Sequence, residues 1–443
     1  MKRRDFLKTT SGLCIGGVAS SAFAADPDSP YPFSTLEAAL DSVGFDPLHQ
    51  DSFTTIWTAD THYGIGDSES ILPPILAEVC NMKTPPEFFA VAGDLVCKAS
   101  LSFGQVPGEK QKAEAIAEFH EIKQHIKIIE EHIPVKLALG NHDTHPAEDA
   151  PALFHAAFPD RPEYHAFEVK GVPFIFLNGG SCGNMDTEQR AWFHDEVKRR
   201  HTPGATLIVV CHQPSLGNVT NERGVAVAFR EALDEAQGDL WLVGGHHHRN
   251  HNQCYSLPKG IITQATITTA NPNAWGTEQP GYWVYAFHKG KLAARIFRRL
   301  GQGYAVANPP QPQSALPIRL PFENRDDLLW HVLVGEGDKP YLIDAQAAWC
   351  QNYWHYTKSL TYKFPLALGQ NKARRLAVLE TPVGDPKPRK YFVSADGDQW
   401  DEITKPERDN EFTHFPIPTH CVDQGAIYVR LEQCTVSGFA LTT

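Results

Sequence analysis

From Phe53 onward, short apolar runs alternate with helical patterns. The runs at 53–59 (FTTIWTA), 88–92 (FFAVA), 135–139 (VKLAL), 172–178 (VPFIFLN), 205–211 (ATLIVVC), 239–243 (DLWLV) and 260–267 predict strands. Between them the spacing predicts helices near 69–81, 111–133, 186–200 and 223–237. In the second of these, Ile116, Phe119, Ile122, Ile126, Ile129 and Ile133 recur every three or four residues, one buried stripe. Strands that are apolar throughout, separated by helices, indicate a layered α/β core with both sheet faces covered. The later runs 282–288 and 291–298 follow one another without a helix, so the sheet system is expected to finish antiparallel.

The pattern breaks at 307–317, where three prolines fall in four positions and stiffen an extended connector. Beyond it, strand-like pieces at 328–334, 340–345, 389–394 and 425–431 are separated by turn residues, which predicts an all-β sandwich over 318–443. With 443 residues, 42% hydrophobic and 21% charged, the chain is globular and long enough for two or three folding units. Its formal charge of −12, without long basic runs, argues against nucleic acid or an anionic membrane surface as the main partner. No stretch reaches the ~20 apolar residues of a spanning helix.

Residues 1–24 read as an address. Arg3-Arg4 with Phe6, Leu7 and Lys8 resembles a twin-arginine export signal, and the weakly apolar run from Gly12 ends in Ala22-Phe23-Ala24, an A-x-A cleavage site. The expected partner is the twin-arginine export machinery, and the expected location periplasmic or secreted. The remaining divisions are then 25–306 for the α/β domain, 307–317 for the linker and 318–443 for the sandwich. Of nine cysteines none sits in a CxxC pair; Cys421 and Cys434 could be bridged or remain buried thiols.

Candidate chemistry collects just after the strands, where α/β folds place their sites. Asp60-Thr61-His62 follows the first, Gly93-Asp94 the second and Gly140-Asn141-His142-Asp143 the third; His212 ends the 205–211 run, and Gly244-Gly245-His246-His247-His248 ends the 239–243 run. Each cluster alone is weak. Five in order, rich in carboxylate, amide oxygen and imidazole, supply the ligands that suit Mn, Fe and Zn. Asp60 with His62, and His246 with His248, could project from one side of an extended segment.

The ordered series DTH, GD, GNHD, H and GHHH resembles the calcineurin-like metallophosphoesterase family over roughly Phe53 to Arg299. The resemblance implies two mixed β-sheets packed together between helices, followed here by the β-sandwich. It also implies two divalent metal ions (Mn, Fe or Zn). One would be held by Asp60, His62, Asp94 and His248, and the other by Asp94, Asn141, His212 and His246. His142 would face the substrate as general acid, with Asp143 holding and polarising it, and Asn141, His142 and Arg249 would touch the substrate. The implied activity is hydrolysis of a small-molecule phosphodiester or phosphomonoester by a metal-bridging hydroxide. Cys97 stands where purple acid phosphatases of the family carry a tyrosine, which disfavours a tyrosinate-iron centre.

Two rivals differ in kind. His246-His247-His248-Arg249-Asn250-His251 nearly fits the H-x-H-x-D-H of metallo-β-lactamase-like hydrolases, but Asn250 removes a carboxylate and the motif comes last instead of early. A non-catalytic, metal-stabilised surface or carbohydrate-binding protein is the other. It would use the aromatic stretch 341–362 and the Ser394–Trp400 segment, which is similar to a turn of carbohydrate-binding sandwiches, although buried aromatics are ordinarily core.

Overall fold

The computed structural model describes residues 30–64, 68–97, 108–144, 150–178, 187–213, 238–248, 250–257, 260–267 and 280–309. Further on it describes 314–315, 328–333, 341–350, 353–365, 375–380, 390–403, 407–408, 412–422, 425–433 and 436–442. Residues 1–24, expected to be an export signal, the helix expected at 223–237, Arg249 and Cys434 lie outside the described residues.

Most strands come where the apolar runs put them, while those at 165–169, 251–257, 304–306 and 314–315 fall outside the runs. They are β1 (Ser52–Thr58), β2 (Phe89–Ala92), β3 (Val135–Ala138), β4 (His165–Val169), β5 (Val172–Phe176) and β6 (Thr206–Val210). Then follow β7 (Gly238–Gly244), β8 (His251–Leu257), β9 (Gly260–Thr266), β10 (Gly281–His288), β11 (Lys291–Arg299), β12 (Tyr304–Val306) and β13 (Ser314–Ala315). They form two mixed sheets, one in the order β12-β11-β10-β1-β2-β3 and one in the order β13-β8-β9-β7-β6-β5-β4. In the first, β1, β2 and β3 run parallel and β10 to β12 close the edge antiparallel, as the helix-free runs indicate. In the second, β5, β6, β7 and β9 are parallel. Every residue of β1, β2, β5 and β6 is buried, which is why β2, β5 and most of β6 read as continuous apolar runs; β1 is equally buried with Ser52, Thr54, Thr55 and Thr58 among its residues.

Two cores define the layers. Between the sheets lie Phe53 and Trp57 of β1, Phe174 and Phe176 of β5, Trp241 and Val243 of β7, and Trp283, Tyr285 and Phe287 of β10. Trp57 stacks on Phe176 at 6.0 Å and on Phe174 at 6.3 Å. Each fully buried aromatic of this kind contributes roughly 1.5–3 kcal/mol by area. The other core joins the first sheet to the helices Leu36–Ser42, Ser68–Cys80, Glu109–Glu130 and Ala150–Ala157, and includes the stripe Phe119, Ile122, Ile126 and Ile129. The helix Thr187–Arg200 buries Phe193 and Val197. Strand β4 carries no comparable run because its residues are only partly buried.

The C-terminal region is all-β. Its ten strands form one hydrogen-bonded network around a core of Leu360, Tyr362, Phe364, Val378, Val429, Phe439 and Leu441. The expected sandwich of separate sheets is joined because the long strand Tyr353–Pro365 pairs with 342–350, with 426–432 and, through Trp354, with Val436. Strand β13, inside the Pro-rich stretch, pairs in parallel with β8. Cys421 is a buried thiol of the C-terminal core. No helix among the described residues is long and apolar enough to cross a membrane.

Candidate metal centre

The parallel strands of both sheets deliver their C-terminal ends to one place. From the first sheet, β1 leads to Asp60 and His62, β2 to Asp94 and β3 to Asn141. From the second, β6 leads to His212 and β7 to His246 and His248. All seven expected ligands are brought together. The ligand atoms of Asp60, His62 and His248 lie within 4.8 Å of one another, as do those of Asp94, His212 and His246. Asn141 Oδ1 is 3.0 Å from His246 Nδ1. Asp94 Oδ2 joins the two groups, 3.0 Å from His212 Nε2 and 3.7 Å from His62 Nε2.

How the backbone achieves this differs from the extended segments expected. Asp60, His62, Asp94, His246 and His248 all take left-handed conformations, with φ of +52°, +40°, +53°, +68° and +52°. Non-glycine residues adopt this region rarely, at a cost, and chiefly at functional sites. The surrounding hydrogen bonds hold them there. Asp60 N–H donates to Gly93 O (2.9 Å), His62 N–H to Asp94 O (3.0 Å) and Gly245 N–H to His212 O (2.8 Å). His246 N–H donates to both oxygens of Asp60, at 3.0 and 3.1 Å.

Close approach explains the motif glycines. A Cβ at Gly245 would sit 2.2 Å from Asp60 Oδ2, and one at Gly140 would sit 2.2 Å from Asp94 Oδ1. Gly245→Ala is therefore expected to keep the fold but lower metal affinity on the order of 10–100-fold, the usual weight of a partner that orients a ligand. Metal titration of the refolded variant, alongside circular dichroism, checks this.

The electrostatics suit cations. Asp60 and Asp94 are fully buried, which favours their neutral forms, yet nearby histidines, His212 foremost, hold both carboxyls below the usual range. Burial likewise opposes charge on His212, but Asp94 and Asp60 push it up to about 10. His62 is pushed down to about 4 by burial, and His246 to about 3 by burial and by His212. His212 Nδ1 lies 2.8 Å from Ala92 O, so Nε2 is the nitrogen turned to the carboxylates. His62 Nε2 and His248 Nε2 approach to 3.0 Å, a distance that a proton or a common cation makes favourable. Imidazole nitrogens, carboxylate oxygens and one amide oxygen, converging in two groups that share Asp94, fit a pair of divalent ions of the Mn, Fe or Zn kind.

Asp143 does something other than hold His142. Its Oδ1 accepts the N–H groups of Leu95 (2.8 Å) and Val96 (3.1 Å), and its Oδ2 accepts that of Gly140 (2.8 Å). It ties the loop after β2 to the loop after β3. Burial and the neighbouring Asp94 push its carboxyl up to about 8. His142 is half-buried, its backbone N–H donates to Asp94 Oδ1 at 2.8 Å, and its ring stands edge-on to His62 at 4.8 Å. His247, between two ligand positions, is exposed.

Several contributors lie outside the five ordered clusters. Gln213 Nε2 donates to Asn141 Oδ1 at 3.4 Å, and Gln189 clasps the backbone of Asn178 at 2.7 and 2.8 Å. Glu118 accepts the N–H of Cys97 at 3.1 Å. Gln189 lies in the run Thr187-Glu188-Gln189 with Trp192-Phe193, which is similar to a helix of the metallophosphoesterase family, and Glu118 stands one position from Phe119 of the apolar stripe. Asn250, the acid position of the β-lactamase-like motif, accepts Trp283 Nε1–H at 2.8 Å and so serves packing. In the C-terminal region Tyr362 is core, and the faces of Phe392 and Trp400 are covered by Arg430, at 4.5 and 4.6 Å.

Residues 53–250, which hold all seven converging ligands together with His142 and Asp143, match the family model of the calcineurin-like phosphoesterases. Among curated proteins, the serine/threonine-protein phosphatase CPPED1 of Homo sapiens is 26% identical over 275 residues, 56% of this chain and 80% of its own. The CPPED1 of Pongo abelii is 25% identical over 273 residues, with the same coverage. Among solved structures, PhoD covers 60% of this chain and 73% of its own at 10% identity, with a TM-score of 0.40. GAP50, described as the anchor in the inner membrane complex of Plasmodium, covers 60% and 91% at 14% identity, with a TM-score of 0.37.

Proposed function

We propose that the chain is an exported phosphoester hydrolase working with two divalent cations, phosphodiesters ahead of phosphomonoesters. The observation that carries this reading is Asp94 Oδ2 facing both imidazole groups at once, within residues that match a phosphoesterase family. Asp60, His62 and His248 would hold one ion and Asn141, His212 and His246 the other, with Asp94 common to both. When bound, the ions supply positive charge for the phosphoryl oxygens and a hydrolytic nucleophile at neutral pH. His142, beside the pair but outside both ligand groups, would give its proton to the departing oxygen. Asn141 and Arg249 would contact the phosphoryl group. The Arg3-Arg4 segment would direct the folded protein to the periplasm or beyond.

The relatives named as protein phosphatases favour one alternative, a phosphomonoester substrate, so the decisive panel includes both classes. Purified protein is expected to contain about two Mn, Fe or Zn ions per chain, the stoichiometry of a paired site. It should hydrolyse bis(4-nitrophenyl) phosphate faster than 4-nitrophenyl phosphate or a phosphoserine peptide, and lose activity to a chelator. No hydrolysis of any of the three after loading with each metal would overturn the reading. A faster rate on the monoesters would reverse only the preference.

A further inference from the structure

With Asp143 committed to backbone N–H groups, a different side chain meets the His142 ring. Cys97 stands three residues after Asp94, and its Sγ lies 3.9 Å from His142 Nδ1. His62, Cys97 and His142 form a third group of donor atoms within 4.8 Å of one another. The thiol is buried and its backbone is held on two sides: the N–H faces both the Tyr63 carbonyl (3.0 Å) and Glu118 Oε2 (3.1 Å). Glu118, itself buried on the helix Glu109–Glu130, thus anchors the loop that carries the sulfur.

We propose that Cys97 is the positioning residue for His142, accepting Nδ1–H at its sulfur so that the proton offered to substrate is the one on Nε2. The idea rests on the phosphoesterase reading. A thiol sulfur is a weak acceptor, enough to select a ring orientation without binding the proton. In the imidazolium both nitrogens donate. As the P–O bond breaks, its electron pair stays on the leaving oxygen and the Nε2 proton moves to that oxygen. The neutral imidazole that remains keeps Nδ1–H on Sγ. Holding a general acid in register is a positional effect, and a small misplacement is costly in rate.

The test compares Cys97→Ala, Cys97→Ser, His142→Ala and the Cys97→Ala/His142→Ala double variant in the full chain. The substrates are paired esters of one class with 4-nitrophenol and with phenol as leaving group. Cys97→Ala should lower kcat on the order of tenfold for the phenyl ester, which needs protonation, and by less than twofold for the nitrophenyl ester. KM and metal content should stay unchanged. Cys97→Ser, whose hydroxyl can accept the same hydrogen, should recover most of the loss, and the double variant should be no slower than His142→Ala. Ring ¹⁵N shifts of His142 should report Nδ1–H in the parent and a mixture of tautomers in Cys97→Ala. Equal loss on both esters, a loss that multiplies with that of His142→Ala, or departure of a metal ion would overturn the assignment. If the parent chain hydrolyses no phosphoester, the functional reading fails, and the ¹⁵N shifts alone then decide whether sulfur sets the ring.

Discussion

Replacing Asp94 by asparagine is expected to abolish hydrolysis, with residual turnover at least ~10³-fold below the parent, the scale seen when charge stabilisation at a reacting centre is removed. Asp94 is the carboxylate nearer to His212, 3.0 Å against 3.8 Å for Asp60 Oδ1, which also lies 3.7 Å from His62 Nε2. Oδ2 of Asp94 faces His212 and His62, while its Oδ1 accepts the His142 backbone N–H at 2.8 Å. The amide is nearly isosteric, so the fold should survive. What is lost is the negative charge common to both cations and, where the NH2 group turns inward, a lone pair is exchanged for a donor. Metal analysis should fall below two ions per chain, and kcat on the preferred ester should approach background. Full activity in Asp94→Asn would remove the basis for a two-cation hydrolase.

The second large effect separates chemistry from metal holding. His142→Ala should leave the metal content at the parent value while reducing kcat by roughly 10²–10⁴, the usual weight of a general acid. The ring of His142 belongs to neither ligand group around Asp60 and Asp94, and the hydrogen bond it gives Asp94 comes from its backbone, which alanine keeps. Inductively coupled plasma analysis and steady-state rates on the same preparation check both halves. Loss of metal would mean the imidazole is a ligand and the proton comes from elsewhere.

Much of this was legible before any coordinates. Strands that are buried on both faces are mostly apolar, so β2, β5 and β6 declare themselves and β1 does so through Phe53, Ile56 and Trp57, while polar residues directly beyond them mark the rim where the site forms. The clusters that contain Asp60, His62, Asp94, Asn141, His212, His246 and His248 could be picked out for that reason, and the resemblance to the metallophosphoesterase family singled out these seven within them. Their backbone could not be foreseen. Nothing in the residue types of Asp60 or His248 announces a left-handed φ, because it is imposed by hydrogen bonds from loops distant in sequence. Asp143 was misread for a related reason: adjacency to His142 suggested a pair, whereas the carboxylate reaches 47 and 48 residues back along the chain to the Val96 and Leu95 amides. In the C-terminal region the strand Tyr353–Pro365 was hidden because its aromatics look equally like a binding surface and a core. Tertiary pairing decides between these, and local pattern does not.

The two mixed sheets of the α/β domain each carry part of the candidate ligand set, so on the two-cation reading the gap between them would set the spacing of the cations. Trp57, Phe174, Phe176, Trp283 and Phe287 fill that gap and act as its shims. Interiors are packed like crystals and transmit changes in volume instead of absorbing them. Trimming one ring of this stack would leave a cavity into which the sheets relax only in part, and any such relaxation would alter the spacing of the candidate ligands. On the two-cation reading, choice among ions of different radius would then be adjustable from behind, through residues that line no ligand group.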